Sequence, residues 1–133
     1  QTAFLMINLL EAVVNQGTGV RLRYKYQLPG RIAGKTGTTQ NHSDGWFMGM
    51  TPNLVAGVWT GAEDRAVHFD NITMGQGASM ALPIFATFLQ KVYADPSLGI
   101  SPNDDWDRPV LQQFINLNCD KKFDDEINEI ELF

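Results

Sequence analysis

Cysteine is nearly absent from this sequence, and long apolar runs are absent altogether. The single cysteine in 133 residues, Cys119, cannot form an internal disulfide, and we interpret it as a small apolar filler. No apolar stretch approaches the roughly eighteen residues that a membrane-spanning helix requires, and no signal-peptide pattern is present. The sequence therefore predicts no membrane span, and any membrane anchor is expected to lie outside this chain.

Basic residues are also scarce. Ten lysines and arginines stand against fifteen aspartates and glutamates, which gives a net charge of −5. Nonspecific nucleic-acid binding is not expected, because neutralising phosphates requires a basic surface. The excess acid lies at one end: residues 1–100 carry seven basic and six acidic residues, whereas residues 101–133 carry three and nine. We therefore predict a compact unit over residues 1–95 and an acidic carboxyl-terminal extension over residues 96–133. The apolar residues expected to dock this extension loosely are Ile127, Ile130, Leu132 and Phe133.

The hydrophobic periodicities predict an α+β fold. The composition, with 44% apolar and 19% charged residues, is that of an ordinary globular domain. The predicted elements are a helix at 2–15, strands at 31–39, 45–50 and 54–60, and a helix at 80–94. Because residues 51–53 form a link short enough for a hairpin, the expected architecture is an antiparallel three-stranded meander packed against two helices.

Several finer expectations concern how these elements pack. The first helix is apolar on more than one face, so we expect it to be buried on both sides, between the sheet and helices of a complete domain that this chain does not contain. Ser79 should cap the second helix, with Pro83 in its first turn. Trp46 and Trp59 should pack against helices, as aromatic strand residues usually do. The stripe expected to cover the meander consists of Ile84, Phe85, Phe88, Leu89 and Val92.

The segment from residue 20 to residue 28 alternates between apolar and polar residues. This pattern predicts a strand or extended arm that carries Arg21, Arg23 and Lys25 on one side. We interpret that side as a solvated face, although three cations could also meet an acidic polymer.

The most informative segment is Gly34-Lys35-Thr36-Gly37-Thr38-Thr39. Thr36 and Thr38 stand two residues apart, so their hydroxyls should point to the same face of a strand, with Lys35 on the opposite pleat. Gly34 and Gly37 permit close approach of another backbone or of a ligand. One cation beside several hydroxyls is suited to holding a carboxylate, whereas the alternative is a solvated edge strand with a charge that discourages pairing.

Other polar patterns are weaker. Residues 30–36 resemble a phosphate-binding loop, but only three residues separate Gly30 from the Gly-Lys pair instead of four, and β-branched threonines follow where a helix should begin. His42 in a polar turn is expected to be solvated, and Asp44 to cap that turn by accepting hydrogen bonds from nearby amides. The residues that could be considered as metal ligands are Glu63, Asp64, His68 and Asp70. We predict no metal and no cofactor, since these residues lack ligand spacing.

An ordered set of motifs resembles one protein family. Its parts are Val13 to Gly19, Lys35-Thr36-Gly37-Thr38-Thr39, Asp44-Gly45-Trp46-Phe47, Gly49, Thr51-Pro52 and Gly57-Val58-Trp59-Thr60-Gly61. Together they resemble the carboxyl-terminal part of the transpeptidase domain of class A penicillin-binding proteins. The resemblance implies a partial β-lactamase/transpeptidase-like fold, no cofactor, and a parent enzyme that cross-links peptidoglycan stem peptides ending in D-alanyl-D-alanine and is acylated by penicillins. It also implies a glycosyltransferase domain elsewhere in the parent and a place on the outer face of the bacterial inner membrane.

The resemblance also implies roles for individual residues. Lys35 would stabilise the substrate's terminal carboxylate and tune proton transfer, and Thr36 and Thr38 would hydrogen-bond that carboxylate. The Thr38 amide would be an oxyanion donor. Gly37 would leave the strand bare so that a peptide could lie along it, and Thr39 completes the substrate-binding segment.

One signature of the family is missing. No serine here is followed three residues later by lysine, although the family's nucleophile sits in a Ser-x-x-Lys motif. We therefore expect a fragment that begins after the catalytic serine and is inactive by itself. The family's two remaining strands would lie beside residues 54–60, so the open edge should be covered by a second copy or by the acidic extension. The alternatives are a noncatalytic peptide-binding or interaction module, or a β-lactamase or carboxypeptidase of the same superfamily.

Overall fold

The computed structural model describes residues 2–108. The predictions for Cys119 and for the apolar residues of the carboxyl-terminal extension concern residues outside this part. The helices are α1 (Thr2–Gln16), α2 (Arg21–Tyr24), α3 (Ile72–Gly75), α4 (Gly77–Met80) and α5 (Leu82–Tyr93). The strands are β1 (Ala33–Thr38), β2 (Asp44–Thr51) and β3 (Leu54–Gly61), and two 3₁₀ turns cover Gln40–His42 and Pro96–Leu98.

The three strands form one antiparallel sheet in the order β1-β2-β3. The α+β class and the three-stranded meander are therefore confirmed. Thr36 lies opposite Phe47, and Phe47 lies opposite Val58. Because side chains alternate along each strand, these three residues point to the same face of the sheet. That face meets α5 and forms the core.

Helix α5 covers the inner face of the sheet with one line of side chains. Phe47 and Phe85 are both almost fully buried, and their ring centroids lie 4.9 Å apart. Leu89 and Val92 continue the buried line, whereas Ile84 and Phe88 are 50% and 42% exposed. The predicted five-residue stripe was therefore too wide, because residues adjacent in sequence are about 100° apart around a helix and only one member of each pair reaches the sheet.

The remaining predictions about the helices concern α1 and Ser79. Helix α1 was expected to be buried on both sides in a complete domain, and this stays a prediction; within residues 2–108, Met6 and Leu9 are exposed and only Glu11 and Val14 are buried. Its one buried line touches β1 and the core, and no second layer covers the other side within residues 2–108. Ser79 lies inside α4 and does not cap α5, which begins at Leu82 with Pro83 in its first turn.

The alternating segment before the sheet is not a strand. Arg21–Tyr24 forms one helical turn with Leu22 buried. The Arg21 guanidinium donates to the Ala78 carbonyl (3.0 Å) and to the Ser79 hydroxyl (2.9 Å). Arg23 donates to the Leu28 carbonyl at 2.7 Å, and burial of its guanidinium lowers the pKa of Arg23. The two arginines therefore donate hydrogen bonds to other segments of the protein and do not form a solvated face.

The tryptophans of the sheet also differ from expectation. Trp46 and Trp59 form a cross-strand pair on the outer face, 44% and 46% exposed. They cannot pack against α5, because their register puts them on the opposite side of the sheet from Phe47.

The chain returns to the sheet after α5. Ile100 packs against the core, and Asp104 accepts a hydrogen bond from the Asn53 side chain at 2.8 Å. Trp106 is buried, and its indole donates to the buried Glu11 carboxylate at 3.0 Å. Residues 100–106 thus pack on the sheet unit, while the predicted boundary between residues 95 and 96 stays a prediction.

Candidate functional site

The Lys-Thr-Gly segment forms β1, an edge strand in the described part of the sheet. Thr36 and Thr38 lie opposite Phe47 and Gly45, which are buried, whereas Lys35 lies opposite the exposed Met48. The predicted placement of the two hydroxyls on one face, with the lysine on the other, is therefore confirmed. The strand also excludes the phosphate-loop interpretation, because that loop must open a helix after its lysine.

The threonine hydroxyls have protein partners on the inner face. The hydroxyls of Thr36 and Thr18 share a hydrogen bond of 2.8 Å, and the Gly77 amide donates to Thr38 Oγ1 at 3.0 Å. Since Thr38 accepts in this bond, its own hydrogen remains available to donate to a ligand. The Thr18–Thr36 pair likewise uses only one of its two hydroxyl hydrogens.

The lysine ammonium folds back over its own strand. Lys35 is exposed, and its Nζ donates to the Thr36 carbonyl at 2.8 Å. An ammonium has three donors, so two remain for an anion beside the strand. The ammonium is held at the Thr36 carbonyl, although the side chains of Lys35 and Thr36 leave the strand on opposite faces.

The glycines near β1 mark close contacts between backbones. A β-carbon on Gly77, the first residue of α4, would overlap the carbonyl oxygens of Gly37 and Trp46. A β-carbon on Gly37 itself would meet only the Trp46 side chain, at 3.1 Å. Helix α4 therefore contacts the backbone at the end of β1 on the inner face of the sheet. On the outer face, Gly37 presents no side chain.

The link after β1 is held by Thr39 and Asp44. Thr39 Oγ1 accepts from the Asp44 amide (3.0 Å) and donates to the Asp44 carboxylate (3.1 Å). Asp44 was expected to accept from amides, but its carboxylate instead accepts from the Thr39 hydroxyl and from the Trp59 indole (3.0 Å). His42 was expected to be solvated, yet it is half-buried, and its Nδ1 has no hydrogen-bond partner within residues 2–108.

A cavity of about 660 Å³ lies near this end of the sheet. Its lining comes from the ends of β2 and β3 and from the segment before α5, namely Ser43, Thr60, Gly61, Ala62, Val67, His68, Phe69, Thr73, Met74, Ser79 and Met80. None of Lys35 to Thr39 lines it. The lining residues from the described part of the chain are mainly apolar and include no lysine or arginine, so this cavity is less suited to an anion than the edge of β1.

Comparison with known proteins gives the chain its family. Residues 1–95 match the family described as penicillin binding protein transpeptidase domain. The chain belongs to this family. It is 32% identical over 112 residues to penicillin-binding protein 1A of Aquifex aeolicus, covering 84% of this chain and 14% of that protein.

Two further relatives agree. The chain is 35% identical over 92 residues to penicillin-binding protein 1A of Pseudomonas aeruginosa, covering 67% of this chain and 10% of that protein. It is 35% identical over 104 residues to penicillin-binding protein 1B of Escherichia coli, covering 78% of this chain and 12% of that protein. The resemblance to class A penicillin-binding proteins drawn from the motifs is thus confirmed. The chain spans only about a tenth to a seventh of the length of these curated relatives. Among the helices of residues 2–108, none has the length and apolar character needed to cross a membrane.

Proposed function

We propose that β1 forms one wall of the peptide site of a serine D-alanyl-D-alanine transpeptidase, which cross-links peptidoglycan stem peptides and binds penicillins. The observation that carries this proposal is the arrangement on β1. Lys35 keeps two ammonium donors, and the Thr38 hydroxyl keeps its hydrogen. A substrate carboxylate at the edge of the strand would neutralise the one cation and accept charge-assisted hydrogen bonds, each worth roughly 1.5 to 3 kcal/mol.

The proposed roles follow from these positions. Lys35 and the Thr36 and Thr38 hydroxyls hold the terminal carboxylate of the stem peptide, or the equivalent group of a β-lactam. The Thr38 amide donates to the oxyanion that forms when the carbonyl is attacked, a contribution whose loss typically costs about a hundredfold or more in rate. Gly37 lets the peptide extend along β1, with Thr39 closing the end of the segment.

The nucleophile in this proposal comes from another part of the protein. None of the four serines of this chain is followed by lysine at the third position. Without the nucleophile, a site can contribute only substrate binding and oxyanion stabilisation. Residues 1–133 alone should therefore form no covalent adduct with a fluorescent penicillin. The remainder of the transpeptidase domain is the proposed partner at the sheet, with edge pairing of two copies of β3 as the alternative when the chain is isolated. The proposed location is the outer face of the inner membrane.

Penicillin acylation in the full protein tests the role of β1. Lys35→Ala should lower the second-order acylation rate by about a hundredfold, since the variant loses the only lysine on β1. Lys91→Ala is the matched control: Lys91 is an exposed lysine of α5, and its removal should leave the rate unchanged. Equal acylation of the Lys35→Ala and Lys91→Ala proteins would overturn the proposed site.

A further inference from the structure

Asp44 holds together three separate segments at the end of β1. It is the first residue of β2, and its side chain is only 13% exposed. Its Oδ2 accepts from the Thr39 hydroxyl at 3.1 Å, directly after β1, while its Oδ1 accepts from the Trp59 indole of β3 at 3.0 Å. Arg65, from the segment after β3, places its guanidinium 3.7 Å from Oδ2. One carboxylate therefore connects both neighbours of β2 and the following segment.

The backbone around Asp44 strengthens this connection. The Asp44 amide donates to Thr39 Oγ1 at 3.0 Å, and the Thr39 amide donates to the Asp44 carbonyl at 3.1 Å. The intervening link contains Asn41 and His42 with φ of 59° and 56°. Non-glycine residues in this region cost roughly 1–3 kcal/mol each and persist only where the surrounding structure holds them. The hydrogen bonds between Thr39 and Asp44 join the two ends of this link and hold it in that conformation.

The sheet leaves room for the Asp44 carboxylate at one position of β3. Gly61 pairs with Asp44, and a β-carbon there would lie 2.5 Å from Asp44 Oδ1. It would also lie 2.7 Å from the Trp59 ring. Any larger residue at 61 would push the carboxylate away from the indole, so Gly61 is required for the Asp44–Trp59 hydrogen bond.

From these contacts we infer that Asp44 is a positioning residue for the substrate wall, fixing the Thr38–Thr39 end of β1 relative to β3. This inference rests on the proposed function of β1. In this role Asp44 acts through Thr39, which follows Thr38 directly. Because an oxyanion donor is effective only when it is held in place before the reaction, loosening this end of β1 should slow acylation more than it weakens the initial binding of penicillin.

Asparagine is an informative replacement because it keeps the shape of the side chain. Donors approach Asp44 from Thr39, Ser43, Trp59 and Arg65. The asparagine side chain offers one acceptor oxygen and an amide group that is itself a donor. With its oxygen toward Trp59, the amide would face the Arg65 guanidinium, donor against donor, and Thr39 would have to change from donor to acceptor. With its oxygen toward Thr39 and Arg65, the amide would face the indole, and the Trp59 bond would be lost.

The test uses the full protein and four variants. Asp44→Asn removes one of the two acceptor oxygens, Trp59→Phe removes the indole donor, and their combination completes a double-mutant cycle. Asp70→Asn is the matched control, since Asp70 is an exposed aspartate that makes no hydrogen bond or ion pair within residues 2–108. The measured quantities are the acylation rate constant and the noncovalent dissociation constant for a fluorescent penicillin, and hydrogen–deuterium exchange of the peptide spanning residues 33–39.

The expected result is specific to positioning. Asp44→Asn should lower the acylation rate constant by about tenfold, since small misplacements of a reacting geometry carry large costs. The dissociation constant should change by less than about threefold, and the effects of Trp59→Phe and Asp44→Asn should not be additive, because both act on the contacts of the same side chain. Exchange over residues 33–39 should rise in Asp44→Asn and stay unchanged in Asp70→Asn.

The outcomes separate this inference from the proposed function. If Lys35→Ala abolishes acylation but Asp44→Asn reacts like Asp70→Asn, the role of Asp44 is wrong and that of β1 stands. Unchanged exchange over residues 33–39 in Asp44→Asn also overturns the inference, whatever the kinetics. If Lys35→Ala reacts like the unmodified protein, the proposed function is wrong, and the positioning role in catalysis is wrong with it.

Discussion

Gly77 and Gly37 are in backbone contact, because a β-carbon on Gly77 would overlap the Gly37 carbonyl oxygen. The contact joins the first residue of α4 to the strand that carries the proposed site. We expect Gly77→Ala to lower the free energy of unfolding by about 1–3 kcal/mol, as overpacking against a rigid backbone does. Urea unfolding measures the change, with tryptophan fluorescence as the probe.

The matched control for this change is Gly57→Ala. A β-carbon on Gly57 would also meet a close neighbour, the Met48 sulfur at 2.6 Å. Met48 is an exposed, flexible side chain, so it can move aside at little cost. A loss at Gly77 no greater than that at Gly57 would show that α4 is free to shift away from β1.

Phe85 should be the most sensitive position of α5. Its ring packs against Phe47 with a centroid separation of 4.9 Å, and both side chains are almost fully buried. Phe85→Ala should cost about 3–5 kcal/mol of unfolding free energy through lost burial and the cavity left behind. Phe88→Ala, on the same helix but 42% exposed, should cost far less. Similar losses at both positions in chemical denaturation would contradict the assignment of the buried line.

Glu11 joins α1 to the segment after α5. Its carboxylate accepts from Arg31 at 2.8 Å and from the Trp106 indole at 3.0 Å. We expect Glu11→Ala to cost about 1–3 kcal/mol, because a buried indole donor is left without an acceptor. Glu11→Gln keeps one acceptor oxygen and should cost less. Thermal unfolding of the two variants gives the comparison, and an equal loss in both would mean that the indole hydrogen bond contributes nothing measurable.

The sequence predicted those elements whose signal is local. Short apolar runs at residues 45–50 and 54–60, separated by a turn, predicted two strands to within a residue or two of their observed bounds. Alternation of apolar and polar residues was a wrong guide for residues 20–28. That pattern comes instead from a helical turn in which Leu22 is buried. The arginines on either side of it donate hydrogen bonds to carbonyl groups.

The site was predictable only in part, for a related reason. The two-residue spacing of Thr36 and Thr38 fixes their common face wherever a strand forms. The contacts of Asp44 reach Trp59 and Arg65, residues that lie 15 and 21 positions later in the chain. Such partners depend on strand register and on the path of the following segment, and a single sequence specifies neither directly. The only local indication was the glycine at position 61. The need for a glycine there is explained only once Asp44 is known to be its partner across the sheet.

Acid should weaken the hydrogen bonds that the Asp105 carboxylate accepts beside Trp106. The Trp106 amide and the Arg108 guanidinium donate to the Asp105 carboxylate at 2.9 and 3.0 Å and hold the pKa of Asp105 below its usual value of 3.8. A carboxyl group whose pKa is lower in the folded state contributes stability above its unfolded pKa, and this contribution is lost as the pH falls through the folded value. We therefore expect the backbone amide signal of Trp106, which donates to this carboxylate, to be nearly constant in ¹H–¹⁵N spectra from pH 7 to about pH 4 and to shift below that. In Asp105→Asn, which cannot titrate, most of this shift should be lost. A shift of equal size in the variant would assign the acid response to another carboxylate.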